Sequence, residues 1–284
     1  MTVEAKRMLS TPLSISVIIP CYCCAETIVR AVDSVAWQTM LPKQIILIDD
    51  ASSDDGATLR KLHALQKKYA DKLKIEVIHL KVNGGPSIAR NAGWDAATQP
   101  YIAFLDADDS WLPQKLEVQY QWMNKHLEVD LCGHLCRWGC VFRRSDNFDL
   151  RCFTVLEIEK RGLLFSNAFS TPTVMIKSSV DLRFPEDMRY AEDYYLWLKV
   201  VCQGYRIVRL EAPLAVLHKP PFGASGLSAE LWQMEKGVQE VFSNLYQQGL
   251  ITIAEAWIAH LASMVKFIGR IFRAWRFRGL AVRR

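Results

Sequence analysis

The sequence predicts an α/β fold: a mostly parallel central sheet with helices on both faces, followed by a helical C-terminal extension. Three observations carry this. Four short apolar runs, at 14–20, 44–50, 74–80 and 101–105, are too brief for helices and too continuous for half-exposed strands. Between them the apolar residues recur at helical spacing. Each run gives way to polar residues or to Gly and Pro. Strand and helix alternate four times, which implies right-handed crossovers and a parallel sheet covered on both sides. In such sheets ligands bind beyond the carboxyl ends of the strands.

The first run, SISVIIP, is apolar on both faces and leads into a turn at 21–25. Ile28, Val32, Val35 and Trp37 then follow a helical stripe that Met40-Leu41-Pro42 ends. The second run, QIILIDD, closes on Asp49 and Asp50, and the 52–56 segment is cap and turn chemistry. Leu59, Leu62, Leu65 and Tyr69 form the next stripe before the third run, KIEVIHL. Asn83-Gly84-Gly85-Pro86 is a tight loop, with Pro86 suited to a first helical turn. The fourth run ends abruptly in Asp106, Asp108 and Asp109. Three acids at one strand end repel one another. Such a cluster is either a cation site with oxygen ligands or a solvated turn capping the next helix. The other polar strand ends (Pro20 and Tyr22, Asp49 and Asp50, the Gly-Gly loop) converge on the same edge and favour a site.

Farther on, a helix carries Leu116, Tyr120 and Met123. Strands are expected at 130–142, 171–176, 205–210 and 214–218, and a helix at 191–203 with Tyr194, Leu198 and Val201 inward and Gly204 as its stop. From 228 onward the pattern is helical.

The net charge of +5 is unevenly placed. From Lys266 to Arg284 there are seven basic residues and no acid, so the rest of the chain is slightly acidic. Nucleic-acid binding by the main domain is not indicated. The start of the chain lacks an apolar leader segment, and the eight cysteines are expected to be reduced thiols. Cys132, Cys136 and Cys140 with His134 lack the paired spacing of a zinc site; alternate positions on a strand simply share a face.

Five motifs in order, SVIIPCY, ILIDDASSDDG, NGGPSIARNAG, YIAFLDADDSWLP and RYAEDYYLW, make the chain resemble family 2 glycosyltransferases of the GT-A fold over about 14–218. The resemblance implies a catalytic domain at 1–225, with a nucleotide-binding half at about 14–125 and an acceptor half at about 126–225, and a basic helical extension at 226–284. It implies a UDP-sugar donor with Mg²⁺ or Mn²⁺. Pro20 and Tyr22 would face the base, Asp50 the base or ribose, and Gly84, Gly85 and Arg90 the nucleotide, with Arg90 offsetting diphosphate charge. Asp106-Ala107-Asp108 matches the family's DxD motif, with Asp108 as metal ligand and Asp106 near the ribose or sugar. Asp109 would be a supporting carboxylate or a helix cap. Glu192-Asp193 matches the family's acidic pair, with Asp193 as general base for inverting transfer and Glu192 placed favourably at a helix start. His218 is a candidate for the metal or the diphosphate. One departure is Cys23, where the family usually has Asn after the first Tyr.

The extension places Trp257, Leu261, Met264, Val265, Ile268, Ile271, Phe272 and Trp275 on one helical stripe, with Lys and Arg on other faces. Charges interrupt it, so a membrane-spanning helix is disfavoured. Two arrangements fit: an in-plane helix on an anionic membrane, or a helix packing its stripe on the catalytic domain. The expected function is hexose transfer from a UDP-sugar to a lipid-linked (polyprenyl-diphosphate) or cell-envelope glycan. It would take place in the cytoplasm, peripherally on the inner face of the membrane. The alternatives are an inactive nucleotide-sugar-binding or membrane-associated partner subunit, and a phosphatase with a DxD nucleophile. The phosphatase motif would follow the first strand rather than the fourth.

Overall fold

The structure, a computed structural model, describes residues 11–139, 153–219 and 230–281, with side chains through 271. Four parallel strands form its first half: β1 (Leu13–Cys21), β2 (Pro42–Asp49), β3 (Ile75–His79) and β4 (Tyr101–Phe104). The helices between them are α1 (Ile28–Ala36), α2 (Ala57–Lys68) and α3 (Gly85–Asp95). The second half adds β5 (Ser110–Trp111), α4 (Lys115–Lys125), β6 (Leu131–Trp138), β7 (Val155–Glu157), α5 (Lys160–Phe165), β8 (Met175–Lys177), α6 (Glu192–Cys202) and β9 (Ile207–Leu217). Two helices follow, α7 (Leu231–Gln247) and α8 (Ile253–Ala281).

All nine strands join one sheet in the order β3-β2-β1-β4-β8-β6-β9-β5, with β7 also on β9. The parallel register runs as far as β4; β8 is antiparallel to both β4 and β6, so the sheet is mixed beyond that point. Two apolar cores result from the period-two alternation of strand side chains. Ile15, Val17 and Ile19 of β1 join Ile45 and Leu47 of β2 on one face. Ile18, Ile46, Ile48 and Phe104 point into the other. Each fully buried aliphatic residue contributes about 1.5–3 kcal/mol. α3 lies close against the sheet because Gly93 has no side chain: a Cβ there would stand 2.6 Å from Ile18.

Three expectations change. The 171–176 segment is a 3₁₀ turn at Thr171–Thr173 before β8 begins at Met175. Pro172 lacks the N–H a ladder needs. The two strands expected at 205–210 and 214–218 are one strand, β9, because Pro213 sits at a bulge in the β6 register and the ladder resumes after it. Trp37 lies past the end of α1, partly exposed. The part of the 130–142 strand beyond Gly139, with Cys140, Cys152 and the Pro220-Pro221 pair, lies outside the described residues.

The extension packs on the domain, but not through the stripe read from the sequence. α8 turns Ala256, Ala259, Ser263 and Phe267 inward. Trp257, Leu261, Met264, Val265, Ile268 and Ile271 stay exposed, Trp257 at 70% and Leu261 at 69%. Phe272 and Trp275 lie beyond the described side chains. Small residues and one aromatic suffice for docking, because α7 already covers the second core through Val241, Phe242 and Leu245.

One core feature works against stability. Lys115 is completely buried, its Nζ 3.8 Å from the Trp111 ring centre and without a hydrogen-bond partner among the described residues. Burial pushes its pKa well below the ordinary value, so folding favours the neutral amine. The unfolded chain binds that proton at neutral pH, and stability therefore rises as pH climbs toward about 10.5. Lys115→Met is expected to raise the thermal midpoint, by about 2–4 °C per kcal/mol recovered, and to flatten this rise in a pH series of melts.

Candidate active site

The carboxyl ends of β1, β2 and β4 meet at a cavity of about 850 Å³, within the range of small-ligand sites. Pro20, paired with Ile48 near the end of the β1–β2 ladder, and Tyr22, just past its end, form one wall. The Tyr22 ring is half exposed, and its hydroxyl lies 3.2 Å from Ser53 Oγ. Cys23, with φ +45°, turns the chain there, and its N–H donates to Ser52 Oγ at 2.9 Å.

Asp50 reaches the cavity from β2, yet its carboxylate is largely engaged. Oδ1 accepts the Gly84 N–H at 2.8 Å; Oδ2 accepts the Gly85 N–H at 2.8 Å and Asn83 Nδ2 at 3.0 Å. The acid thus sits on the amino end of α3, where partial positive charge favours it. Gly85 has φ +85°, the left-handed conformation a Cβ disfavours, and it lines the cavity; Gly84 does not. The two glycines therefore form the seat of Asp50 as well as a turn. Asp49 is absorbed elsewhere, accepting from Ser52 and lying 2.8 Å from His79.

Arg90, on α3, is buried and spans two elements. One Nη donates to Asp106 Oδ1 and the other to Glu192 Oε1, both at 2.9 Å. Burial opposes its charge, but Asp106 and Glu192 outweigh that and raise its pKa. The acids after β4 are not equivalent. Asp106 faces Arg90. Asp108 pairs with Lys219 Nζ at 2.6 Å, and its backbone carbonyl accepts from Arg30. Asp109 Oδ1 accepts the His218 N–H at 3.2 Å, and α4, which begins at Lys115 after the N-cap Gln114, has no side-chain cap, so Asp109 does not cap that helix. Burial, then the charges of Asp106 and Asp108, push Asp109 up to about 8. Uncompensated negative charge of this kind suits a hard divalent cation, and the donor set is all oxygen. Among the described residues no group of three ligating side chains converges, so such a cation would draw its remaining ligands from diphosphate and water.

His218 is placed behind the cavity, its Nε2 2.8 Å from Ser110 Oγ, and burial lowers its pKa. The next residue, Lys219, lines the cavity instead. Trp138, Arg189 and Glu230 also line it. These four were given no role in the sequence: Arg189 opens the RYAEDYYLW motif but only its acids were singled out, and the other three stand at strand or helix ends with no motif around them. A Lys directly after a strand-ending His was the one readable signal.

Asp193 does not line this cavity. It lines a second one, of about 520 Å³, between the start of α6 and the α7–α8 hairpin. Ala191, just before α6, has φ +58° and turns the acidic pair into place. Glu192 points to Arg90; Asp193 Oδ2 accepts from Thr171 Oγ1 at 3.0 Å and Oδ1 from the Tyr194 N–H at 2.6 Å. Burial, then the neighbouring Glu192 charge, push Asp193 up to about 6. Arg90 connects the two cavities through Asp106 on one side and Glu192 on the other.

The family model described as glycosyl transferase family 2 matches residues 16–181, more than half of the chain. The amylovoran biosynthesis glycosyltransferase AmsB of Erwinia amylovora is 28% identical over 72% of this chain and 70% of its own. The chain spans only 32% and 33% of the length of two longer Rickettsia glycosyltransferases, uncharacterized proteins to which it is also similar. Among solved structures, Staphylococcus aureus TarS 1-349 in complex with UDP-GlcNAc superposes with a TM-score of 0.63 at 21% identity, over 81% of this chain and 66% of TarS. The mannosyltransferase PcManGT of Pyrobaculum calidifontis, in complex with GDP-Man and Mn²⁺, gives 0.62 at 19% identity, over 96% and 81%. Likeness at that identity fixes the fold, which is GT-A. With its motifs gathered on one sheet edge and the family model spanning 16–181, the chain belongs to glycosyl transferase family 2.

Proposed function

We propose that the chain is a metal-assisted, inverting glycosyltransferase that moves a hexose from a UDP-sugar to a lipid-linked or cell-envelope glycan. The observation that carries this is Arg90, which ties the DxD acid Asp106 to Glu192, the chain neighbour of Asp193. Pro20 and Tyr22 offer a flat wall to a pyrimidine base, and TarS, which shares the fold, forms a complex with UDP-GlcNAc. Asp50 positions the Gly84-Gly85 loop and leaves the cavity edge to ribose.

Asp108 is the proposed metal ligand, with His218 behind it steadying Asp109 through its backbone N–H. A bound Mg²⁺ or Mn²⁺ supplies positive charge to the departing diphosphate. Lys219, released from Asp108, and Arg90 add fixed positive charge at the same cavity wall. In the transfer step an acceptor hydroxyl oxygen attacks C1 of the sugar from the face opposite UDP. Its proton passes to the Asp193 carboxylate, the C1–O bond to the diphosphate breaks with its electron pair, and UDP leaves. The configuration at C1 inverts. A carboxylate raised to about 6 is deprotonated at neutral pH while remaining a stronger base than an ordinary aspartate.

We further propose that residues 1–225 are the catalytic unit and that 226–284 hold it peripherally on the inner, cytoplasmic face of the membrane. Among the described residues no helix is long and apolar enough to cross a membrane. The exposed stripe of α8, next to a run of basic residues without acids, suits an anionic interface.

Asp193→Asn is expected to lower transfer by about 10²–10⁴-fold, with UDP binding by calorimetry unchanged. The wild-type rate should rise with pH through about 6 as Asp193 loses its proton, and the variant should lose that limb. Equal rates for the two proteins would remove Asp193 from the chemistry. Chelation with EDTA should abolish wild-type transfer and added Mn²⁺ restore it, while Asp108→Asn should remain inactive at any Mn²⁺ concentration. Full activity in EDTA would exclude the metal. Leu261→Glu with Ile268→Glu should abolish co-sedimentation with vesicles containing phosphatidylserine; retention by the double variant would refute the membrane face.

A further inference from the structure

The cavity that Asp193 lines is built from two kinds of surface. Met234 and Val238 of α7, Phe242 one turn on, and Ala259 of α8 give it apolar walls. Lys266 and Arg270 stand at its edge, one turn apart on the same side of α8. Lys266 is exposed, and its one hydrogen bond is to the Phe165 carbonyl. Arg270 gives one Nη to Glu235 at 2.5 Å, while its buried Nε has no partner among the described residues. Glu235 Oε1 is also served by Ser263 Oγ at 2.7 Å and Gln239 Nε2 at 2.6 Å, while Arg270 meets Oε2, so that ion pair stays in place. Lys266 is thus exposed at the cavity edge, and the Arg270 guanidinium, partly exposed, engages Glu235 through one Nη and keeps a second Nη beside it. The chemistry that matches these walls and cations is an anion with several acceptor oxygens attached to something apolar.

The placement of α8 says where that apolar part comes from. The residues lining the cavity, 259, 263, 266 and 270, and the exposed residues 257, 261, 265 and 268 are separated by about half a turn of helix. One face of α8 therefore looks into the cavity and the opposite face presents Trp257, Leu261, Val265 and Ile268 outward. An amphiphile seated in a surface against that outer stripe has only one helix width, about 10 Å, to cover to reach Lys266.

We infer that this cavity is the acceptor site, and that it takes an acceptor bearing a phosphate ester next to an apolar chain, with the phosphate at Lys266 and Arg270 and the chain along Met234, Val238 and Phe242. The inference rests on Asp193 being the base: the acceptor is held on the Asp193 side of Arg90, and the donor on the Asp106 side.

Decyl phosphate below its micellar concentration, decyl maltoside and inorganic phosphate are the probes, each titrated by calorimetry into the full chain. Decyl phosphate is expected to bind at least tenfold more tightly than the other two. Lys266→Gln and the cavity-filling Val238→Phe should each weaken it about tenfold; Lys236→Gln, an exposed charge on α7 outside the cavity, should not. Unchanged affinity in Lys266→Gln and Val238→Phe overturns the inference, as does equal affinity for inorganic phosphate or for decyl maltoside. Release of UDP from UDP-glucose or UDP-GlcNAc in water is followed in parallel. If it occurs while the decyl phosphate result is negative, the acceptor site alone falls. If decyl phosphate binds as expected but wild type neither binds nor hydrolyses a UDP-sugar, transfer falls and with it the acceptor role.

Discussion

One buried guanidinium holds the functional arrangement together. Arg90 sits on α3 and reaches both Asp106 after β4 and Glu192 at the start of α6. Two carboxylates on one cation are a stable arrangement only when all three are fixed, because each ion has given up water to be there. The surroundings supply that fixity. The guanidinium lies 5.2 Å from the Phe184 ring, in a cluster of Phe104, Phe184 and Trp197 that packs edge to face. α3 in turn is pinned by Asp50 at its amino end and by the close approach of Gly93 to the sheet. Removing either acid would leave Arg90 with excess positive charge, and removing Arg90 would set Asp106 and Glu192 free to repel the carboxylates beside them.

The same logic separates the acids that a motif treats as one unit. Asp50 is neutralised by backbone amides, Asp106 by Arg90 and Asp108 by Lys219. Asp109 receives only a backbone N–H, and it is the one pushed up to about 8. Charge is thus compensated unevenly from Asp106 to Asp109, and the least compensated of these three acids is the most buried of them. Lys219 and Asp108 form their ion pair on the wall of the cavity itself.

Much of the fold was legible because strands buried on both faces leave a dense apolar signature. The first four strands, their order of polar ends and the α3 and α6 starts all follow from local sequence. What escaped depends on contacts far apart in the chain. Nothing near Asp50 announces that its carboxylate belongs to amides 34 and 35 residues away. Pro213 looks like a strand end, and only the bulged pairing with β6 lets β9 continue past it. Lys219 and Trp138 reach the cavity because the sheet order brings distant strand ends together, and Arg189 and Glu230 reach it from the approaches to α6 and α7. For α8 the periodicity was visible and its orientation was not: the sequence left the apolar stripe open to a membrane or to the domain, and the face that docks is that of Ala256, Ala259 and Ser263, which allows the closer approach.

Ala191 carries a consequence for how such a site can drift over generations. It holds φ +58° while almost fully buried, immediately before the acidic pair. A left-handed alanine costs roughly 1–2 kcal/mol, and the conformation aims Glu192 at Arg90 and Asp193 into the neighbouring cavity. A β-branched residue would be excluded there by strain and a large one by space. Glycine would accept the angle but widen the range of directions the pair explores. Substrate preference can therefore change through the many residues that wall the two cavities, while the hinge that aims the carboxylates stays confined to a very small alphabet.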